Sequence, residues 1–150
     1  MPVDQALDDL IAPLQKSVET GLAHYQRLDA AGQLKMGKWG PREPLCHLLY
    51  WHQVTADGLE AVAQGGEPVR IYGTVDDMNA RAVGRFTGQP VALLCDKVTQ
   101  AHERLVKAAR AVPDLTTTIM VYRGTEESAQ QRLETLKQYW DAQNQELQAL

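Results

Sequence analysis

Apolar residues recur every three or four positions through most of this chain, which is the spacing of one face of a helix. The first such stretch covers residues 4–30. Pro13 interrupts it, and we expect a kink or a short lead-in helix before that residue. A loop over residues 31–37 follows, closed by Trp39.

The second helical stretch is predicted to run from Pro41 to Gln64, where Gly65 and Gly66 end it. Its polar residues fall within one narrow wedge of the helix, and the remaining positions are apolar or aromatic. A helix with so wide an apolar surface is covered by neighbours on more than one side. We therefore expect it to be the central helix. A connection rich in glycine and proline follows over residues 65–74.

Two further helices are predicted after this connection. Thr74 is placed to cap a shorter helix, whose first turn holds Asp76 and Asp77, where carboxylates suit the helix dipole. A long helix follows over residues 91–112, with an apolar inner row and a charged, solvated outer face.

The end of the chain carries a β-branched run and a last helix. Residues 115–122 favour an extended conformation, but no partner strand is evident, so we interpret the run as an ordered connection. Gly124-Thr125-Glu126-Glu127 is predicted to begin the last helix, and only Gln143 breaks its apolar row. Four principal helices with one long connection, between the second and the third, predict an all-α four-helix bundle over residues 1–150, a single domain. That connection permits an up-up-down-down arrangement.

Composition narrows the class of protein. The chain has 150 residues and a net charge of −4, without a cluster of Lys and Arg, so we expect no nucleic-acid partner. No apolar run is long enough to span a membrane, and the N-terminus lacks the pattern of a secretory signal, so we expect a cytoplasmic protein. Cys46 and Cys95 are then best interpreted as two buried thiols rather than a disulfide.

Candidate chemistry is concentrated in residues 39–52, which hold two of the four histidines. His47 and Trp51 are four residues apart and share one face of the second helix, where a helical bundle can keep a pocket. His52 falls in a row of leucines and is interpreted as a packed, hydrogen-bonded histidine. His24 and His102 lie at the flanks of their helical stripes and are interpreted as structural or exposed.

Three features of the sequence resemble the DinB-like superfamily, which includes mycothiol-dependent maleylpyruvate isomerase N-terminal domains and ClbS/DfsB-type proteins. The first is Trp39 and Pro41 followed by His47-Leu48 and Trp51. The second is Val75-Asp76-Asp77-Met78-Asn79, similar to the Asp-x-x-Asn segment of ClbS-like members. The third is the order and length of the helices.

The resemblance implies a four-helix bundle, often a homodimer, that in many members holds zinc or nickel through three side chains. His47 matches the histidine of the second helix, but Tyr139 and Gln143 occupy the positions of the two ligands on the last helix. A phenol and a neutral amide are poor ligands for such ions. We therefore expect no metal cofactor; if a metal binds, His47 holds it, and a further ligand such as Asp141, Glu146 or a residue of a second subunit is needed.

Three functions remain open on this basis. The first is a small-molecule pocket organised by hydrogen bonds, with His47 as its polar anchor and as the general acid or base of any reaction. The predicted pocket residues are His47, Trp51, Tyr139, Trp140 and Gln143. The second is a transferase or isomerase that depends on a divalent metal and a thiol cofactor of the mycothiol type. The third is a non-catalytic interaction protein that works through its dimer surface.

Overall fold

A computed structural model describes residues 2–32 and 42–149 of the chain. Within these residues the protein is mostly helical, with five helices and a small sheet of three strands. The elements in chain order are α1 (Pro2–Ala30), α2 (Arg42–Ala63), β1 (Val69–Ile71), α3 (Val75–Phe86), α4 (Val91–Ala111), β2 (Thr118–Tyr122), β3 (Thr125–Ser128) and α5 (Ala129–Gln148). Trp39 and Pro41, which contributed to the family resemblance, lie outside the described residues.

The helical predictions correspond closely to the observed helices. Pro13 lies inside α1, so the alternative of a separate lead-in helix is wrong. Thr74 caps α3 through a capping box, in which its hydroxyl accepts from the backbone of Asp77 and the Asp77 carboxylate accepts from the backbone of Thr74. The prediction for the start of the last helix is wrong, because α5 begins at Ala129 and is capped by Ser128.

Four long helices enclose most of the core. α1 packs against α4 and α5, and α2 packs against the same two helices, while α3 lies against α2. The largest fully buried side chains include Trp140, Tyr25 and Tyr50. The second helix is central, as predicted, since it contacts α3, α4, α5 and the first two strands. The described helices include none that is long and apolar enough to cross a membrane.

The sheet is the main departure from the predicted all-α fold. Residues 118–122 do have partner strands: β1 pairs with β2 in parallel, with Val69 opposite Met120, and β3 pairs with β2 antiparallel. Both partners were predicted as other structures, β1 as part of a connection and β3 as the start of a helix. The run buries Ile119 and Met120 completely against the helices.

A glycine allows the sheet to approach α2 closely. A β-carbon at Gly58 would lie 2.4 Å from the backbone oxygen of Ile119 and 3.1 Å from a methyl carbon of Val69. Only a residue without a side chain fits between the helix and these two strands. Gly58 therefore determines how close the helix lies to β1 and β2.

The thiols of Cys46 and Cys95 are both buried, and no disulfide joins them, as predicted. Burial raises the pKa of the Cys95 thiol to about 11, so this thiol is protonated and unreactive near neutral pH.

Candidate functional site

A cleft of about 410 Å³ lies where α2, α3, β2 and α5 meet. We call it the His47 cleft. Helix α2 contributes Pro44, His47, Leu48 and Trp51, which are three or four residues apart and therefore share one face of the helix. The volume falls in the range of sites for small molecules.

His47 provides the most distinctive polar atom of this cleft. Its Nε2 atom is buried and has no hydrogen-bond partner among the described residues. Burial lowers the pKa of His47 below its ordinary value, and the carboxylate of Glu43, one turn earlier in α2, only partly opposes this effect. The imidazole is therefore neutral at pH 7, with one nitrogen that donates and one that accepts.

Helix α5 forms the opposite wall. Tyr139, Ala142, Gln143 and Glu146 recur at helical spacing and line the cleft. Gln143 also lies beside the phenol of Tyr25, although the Tyr25 hydroxyl has no partner of good hydrogen-bond geometry in the described chain. Gln143 therefore lies next to both the buried phenol of Tyr25 and the cleft.

The aromatic end of the cleft is built around Trp51. Its ring meets those of Tyr50 and Tyr122 edge to face, with centroids 5.4 and 5.3 Å apart. The guanidinium of Arg132 lies 5.2 Å from the Trp51 centroid, in cation–π range. Arg132 is 2% exposed and pairs with Glu127 at 2.9 Å, so this charge is compensated. The packing holds Trp51 and Tyr122 in fixed positions at the cleft.

Four of the five predicted pocket residues line the His47 cleft: His47, Trp51, Tyr139 and Gln143. Trp140 does not line it. Successive residues of a helix point about 100° apart, so Trp140 faces the core when Tyr139 and Gln143 face the cleft. Trp140 is fully buried, and its indole nitrogen donates to Nδ1 of His52 over 3.3 Å.

His52 is fully buried and hydrogen-bonded, as predicted, through Trp140 and through His102. His102 belongs to the same core cluster and is only 8% exposed. The sequence placed His102 at the edge of the apolar face of its helix, which did not indicate that its ring contacts His52. This cluster is separate from the His47 cleft.

Three residues of the cleft were missed as binding candidates. Asn79 was interpreted mainly as part of a helix start, yet it lines the cleft one turn into α3. Tyr122 reaches it from β2, a position that depends on the unpredicted sheet. Glu146 was considered only as a possible metal ligand. Its spacing from Gln143, three residues along α5, was the pattern that could have revealed it.

The donor set does not fit the metal site that the family resemblance implies. Within residues 2–32 and 42–149, no group of three His, Cys, Asp or Glu side chains is close enough to hold an ion. Asp141, one suggested ligand, instead accepts hydrogen bonds from Ser17 and Lys137 outside the cleft. Among the described residues that line the cleft, only His47 and Glu146 have side chains that commonly bind such ions.

Comparisons of the chain with protein-family models, with curated proteins and with solved structures find no match.

Proposed function

We propose that this protein is a DinB-like four-helix bundle, of up-up-down-down arrangement, that binds a small molecule in the His47 cleft without a metal ion. The bundle is supported by the mutual packing of α1, α2, α4 and α5, each of which contacts two of the others. The family assignment is supported by the sequence features around His47 and Asn79.

The unpartnered Nε2 of His47 is the observation that carries the binding proposal. A buried nitrogen without a partner costs about 1–3 kcal/mol, and a ligand that hydrogen-bonds to it recovers that cost. Asn79 and Gln143 supply amides in the same cleft, and Trp51 and Tyr122 supply aromatic surface. This combination suits a molecule with an aromatic or aliphatic body and one hydrogen-bonding head.

Charge narrows the ligand class further. The imidazole is neutral, and two carboxylates lie near it, that of Glu43 on its own helix and that of Glu146 in the cleft lining. The guanidinium of Arg132, at the aromatic end, is already paired with Glu127. An anionic head would therefore meet repulsion in this cleft, whereas a neutral amide or carbonyl would not. If the bound molecule reacts, His47 is the group placed to act as general base, because its neutral form offers an unprotonated nitrogen at pH 7.

A thermal-shift experiment tests this proposal with benzamide, benzoate and glutathione as probes. We expect benzamide to raise the unfolding midpoint of the wild-type protein, by about 5–10 °C when its concentration is a hundredfold above Kd. The rise should fall by about half in His47→Leu, because the loss of one hydrogen bond weakens binding about tenfold. It should persist in the control His24→Leu, because His24 is a half-buried residue of α1 that does not line the His47 cleft.

Metal analysis of untagged protein gives the second arm of the test. One equivalent of zinc or nickel, lost in His47→Leu and kept in His24→Leu, would overturn the metal-free proposal. It would favour the thiol-dependent transferase or isomerase, with His47 and Glu146 as ligands. A midpoint that none of the three probes changes would contradict small-molecule binding in this cleft and favour a non-catalytic dimeric interaction protein.

A further inference from the structure

A second cleft, of about 400 Å³, lies between α1 and α4. We call it the His102 cleft. Val18, Leu22 and Val106 give it an apolar lining, and His102 contributes to its wall. None of its lining residues belongs to the His47 cleft. The two clefts are therefore separate sites.

A chain of three hydrogen-bonding side chains leads from the core to this cleft. The indole nitrogen of Trp140 lies 3.3 Å from Nδ1 of His52, and Nε2 of His52 lies 3.0 Å from Nδ1 of His102. An indole nitrogen only donates, so Nδ1 of His52 must accept. A neutral His52 then carries its proton on Nε2 and donates it to Nδ1 of His102.

The same reasoning fixes the proton on His102. Since Nδ1 of His102 accepts from His52, the neutral ring carries its own proton on Nε2. Burial lowers the pKa of His52 to about 3 and also lowers that of His102, so both rings are neutral at pH 7. The direction of donation is therefore the same along the whole chain, from Trp140 to His102.

The last donor in this series of hydrogen bonds is the N–H of His102 at Nε2, and it has no acceptor among the described residues. Nε2 of His102 is buried and has no hydrogen-bond partner among the described residues, and the whole residue is 8% exposed. Glu19, a nearby carboxylate, instead accepts from Gln15 at 3.1 Å. A buried N–H without an acceptor is unfavourable, and a ligand oxygen would satisfy it.

We propose that the His102 cleft is a second binding site, which takes a small neutral molecule with an apolar body and a carbonyl oxygen that accepts from Nε2 of His102. Two carboxylates, Glu19 and Glu103, line the cleft against one ammonium, that of Lys107. The net negative charge disfavours a carboxylate ligand. The donating nitrogen disfavours an amine at the anchor point, because a protonated amine has no lone pair to offer.

Three probes of similar size test the site by NMR on the full chain: cyclohexanone, cyclohexylammonium and cyclohexanecarboxylate. We expect cyclohexanone to shift the methyl signals of Val18, Leu22 and Val106 and to bind more tightly than the two charged probes. Nitrogen-15 spectra of the histidine rings should show the proton of His102 on Nε2, and cyclohexanone should move that proton signal downfield.

Two substitutions of His102 separate anchoring from packing. His102→Leu removes the donor and should weaken cyclohexanone binding about tenfold, the effect of losing one hydrogen bond of about 1.4 kcal/mol. His102→Gln keeps an N–H donor near the position of Nε2 and should retain most of the affinity. Equal weakening by both variants would contradict an anchoring hydrogen bond.

Trp140→Phe tests the chain of donors without touching the cleft. Loss of the indole donor frees Nδ1 of His52 to carry a proton, so the direction of donation can reverse and Nε2 of His102 becomes an acceptor. We expect the nitrogen-15 spectra to show a mixture of tautomers and the affinity for cyclohexanone to fall.

Tighter binding of cyclohexylammonium to the wild type would make a glutamate the anchor and would overturn the proposal. Tighter binding of the carboxylate would do the same in favour of Lys107, and unchanged methyl signals with all three probes would exclude the site.

Discussion

Replacing Gly58 with alanine will lower the free energy of unfolding by about 1–3 kcal/mol, the usual cost of overpacking a core. The new β-carbon would lie 2.4 Å from the backbone oxygen of Ile119, and a backbone atom cannot rotate away as a side chain can. Either α2 or the strand β2 must shift. Urea unfolding followed by circular dichroism measures the loss.

Gly84→Ala is the matched control. Gly84 also lies inside a helix, α3, but a β-carbon there would meet nothing within 4 Å. Alanine should therefore raise stability at this position by about 0.5–1 kcal/mol, through its higher helix propensity. If the two variants proved equally stable, the close approach of α2 to β2 would be refuted.

Stability will fall steeply as the pH is lowered from about 6.5 to 5, because His52 and His102 are buried in their neutral forms. Burial is the main cause of the low pKa of both rings, about 3 for His52, where an ordinary histidine titrates near 6.5. The unfolded chain takes up these protons first. The stabilisation is therefore complete above pH 6.5 and is lost as the pH falls toward the folded pKa.

The slope approaches about 1.4 kcal/mol per pH unit for each histidine that is protonated only in the unfolded chain. His47 adds to it, since burial lowers its pKa as well. Urea unfolding at pH 7.5, 6.5, 5.5 and 5 measures the slope above the range in which most carboxylates titrate. His102→Leu should reduce the slope, because it removes one of the histidines that are protonated only in the unfolded chain. A flat profile in the wild type would show that the two rings are not buried in their neutral forms.

The helices could be predicted from the sequence because their apolar residues recur over many turns. The long stretches that became α1, α2 and α4 each repeat the pattern often enough to fix their type and, within a few residues, their ends. The role of Thr74 as the N-cap of α3 could also be predicted, because a capping box is a local arrangement of four residues.

The sheet could not be predicted because its evidence is not local. Strand β1 has three residues and no alternating pattern of its own, and its partner β2 lies beyond two helices in the chain. Each strand is stable only through the other and through the contact with α2. Sequence periodicity contains no information about a pairing over that separation.

The residues that line the His47 cleft could be grouped from the sequence where a single helix determines their spacing. The four-residue spacings of His47 with Trp51 and of Tyr139 with Gln143 correctly indicated shared faces, and both pairs line the same cleft. Trp140 shows the limit of this reasoning, since hydrophobicity alone did not distinguish a cleft wall from the core. The contact between His52 and His102 joins two helices, and neither residue alone indicates it.

The parallel pairing of Val69 with Met120 has a consequence for how the chain reaches its native state. The segment between these two strands includes α3 and α4, and closing so long a segment costs chain entropy before any strand contact compensates for it. The hydrogen bonds within each helix join residues only four apart and bear no such cost. We therefore expect the helices to form before β1 and β2 pair, and Tyr122 to reach its place beside Trp51 only when β2 is in the sheet.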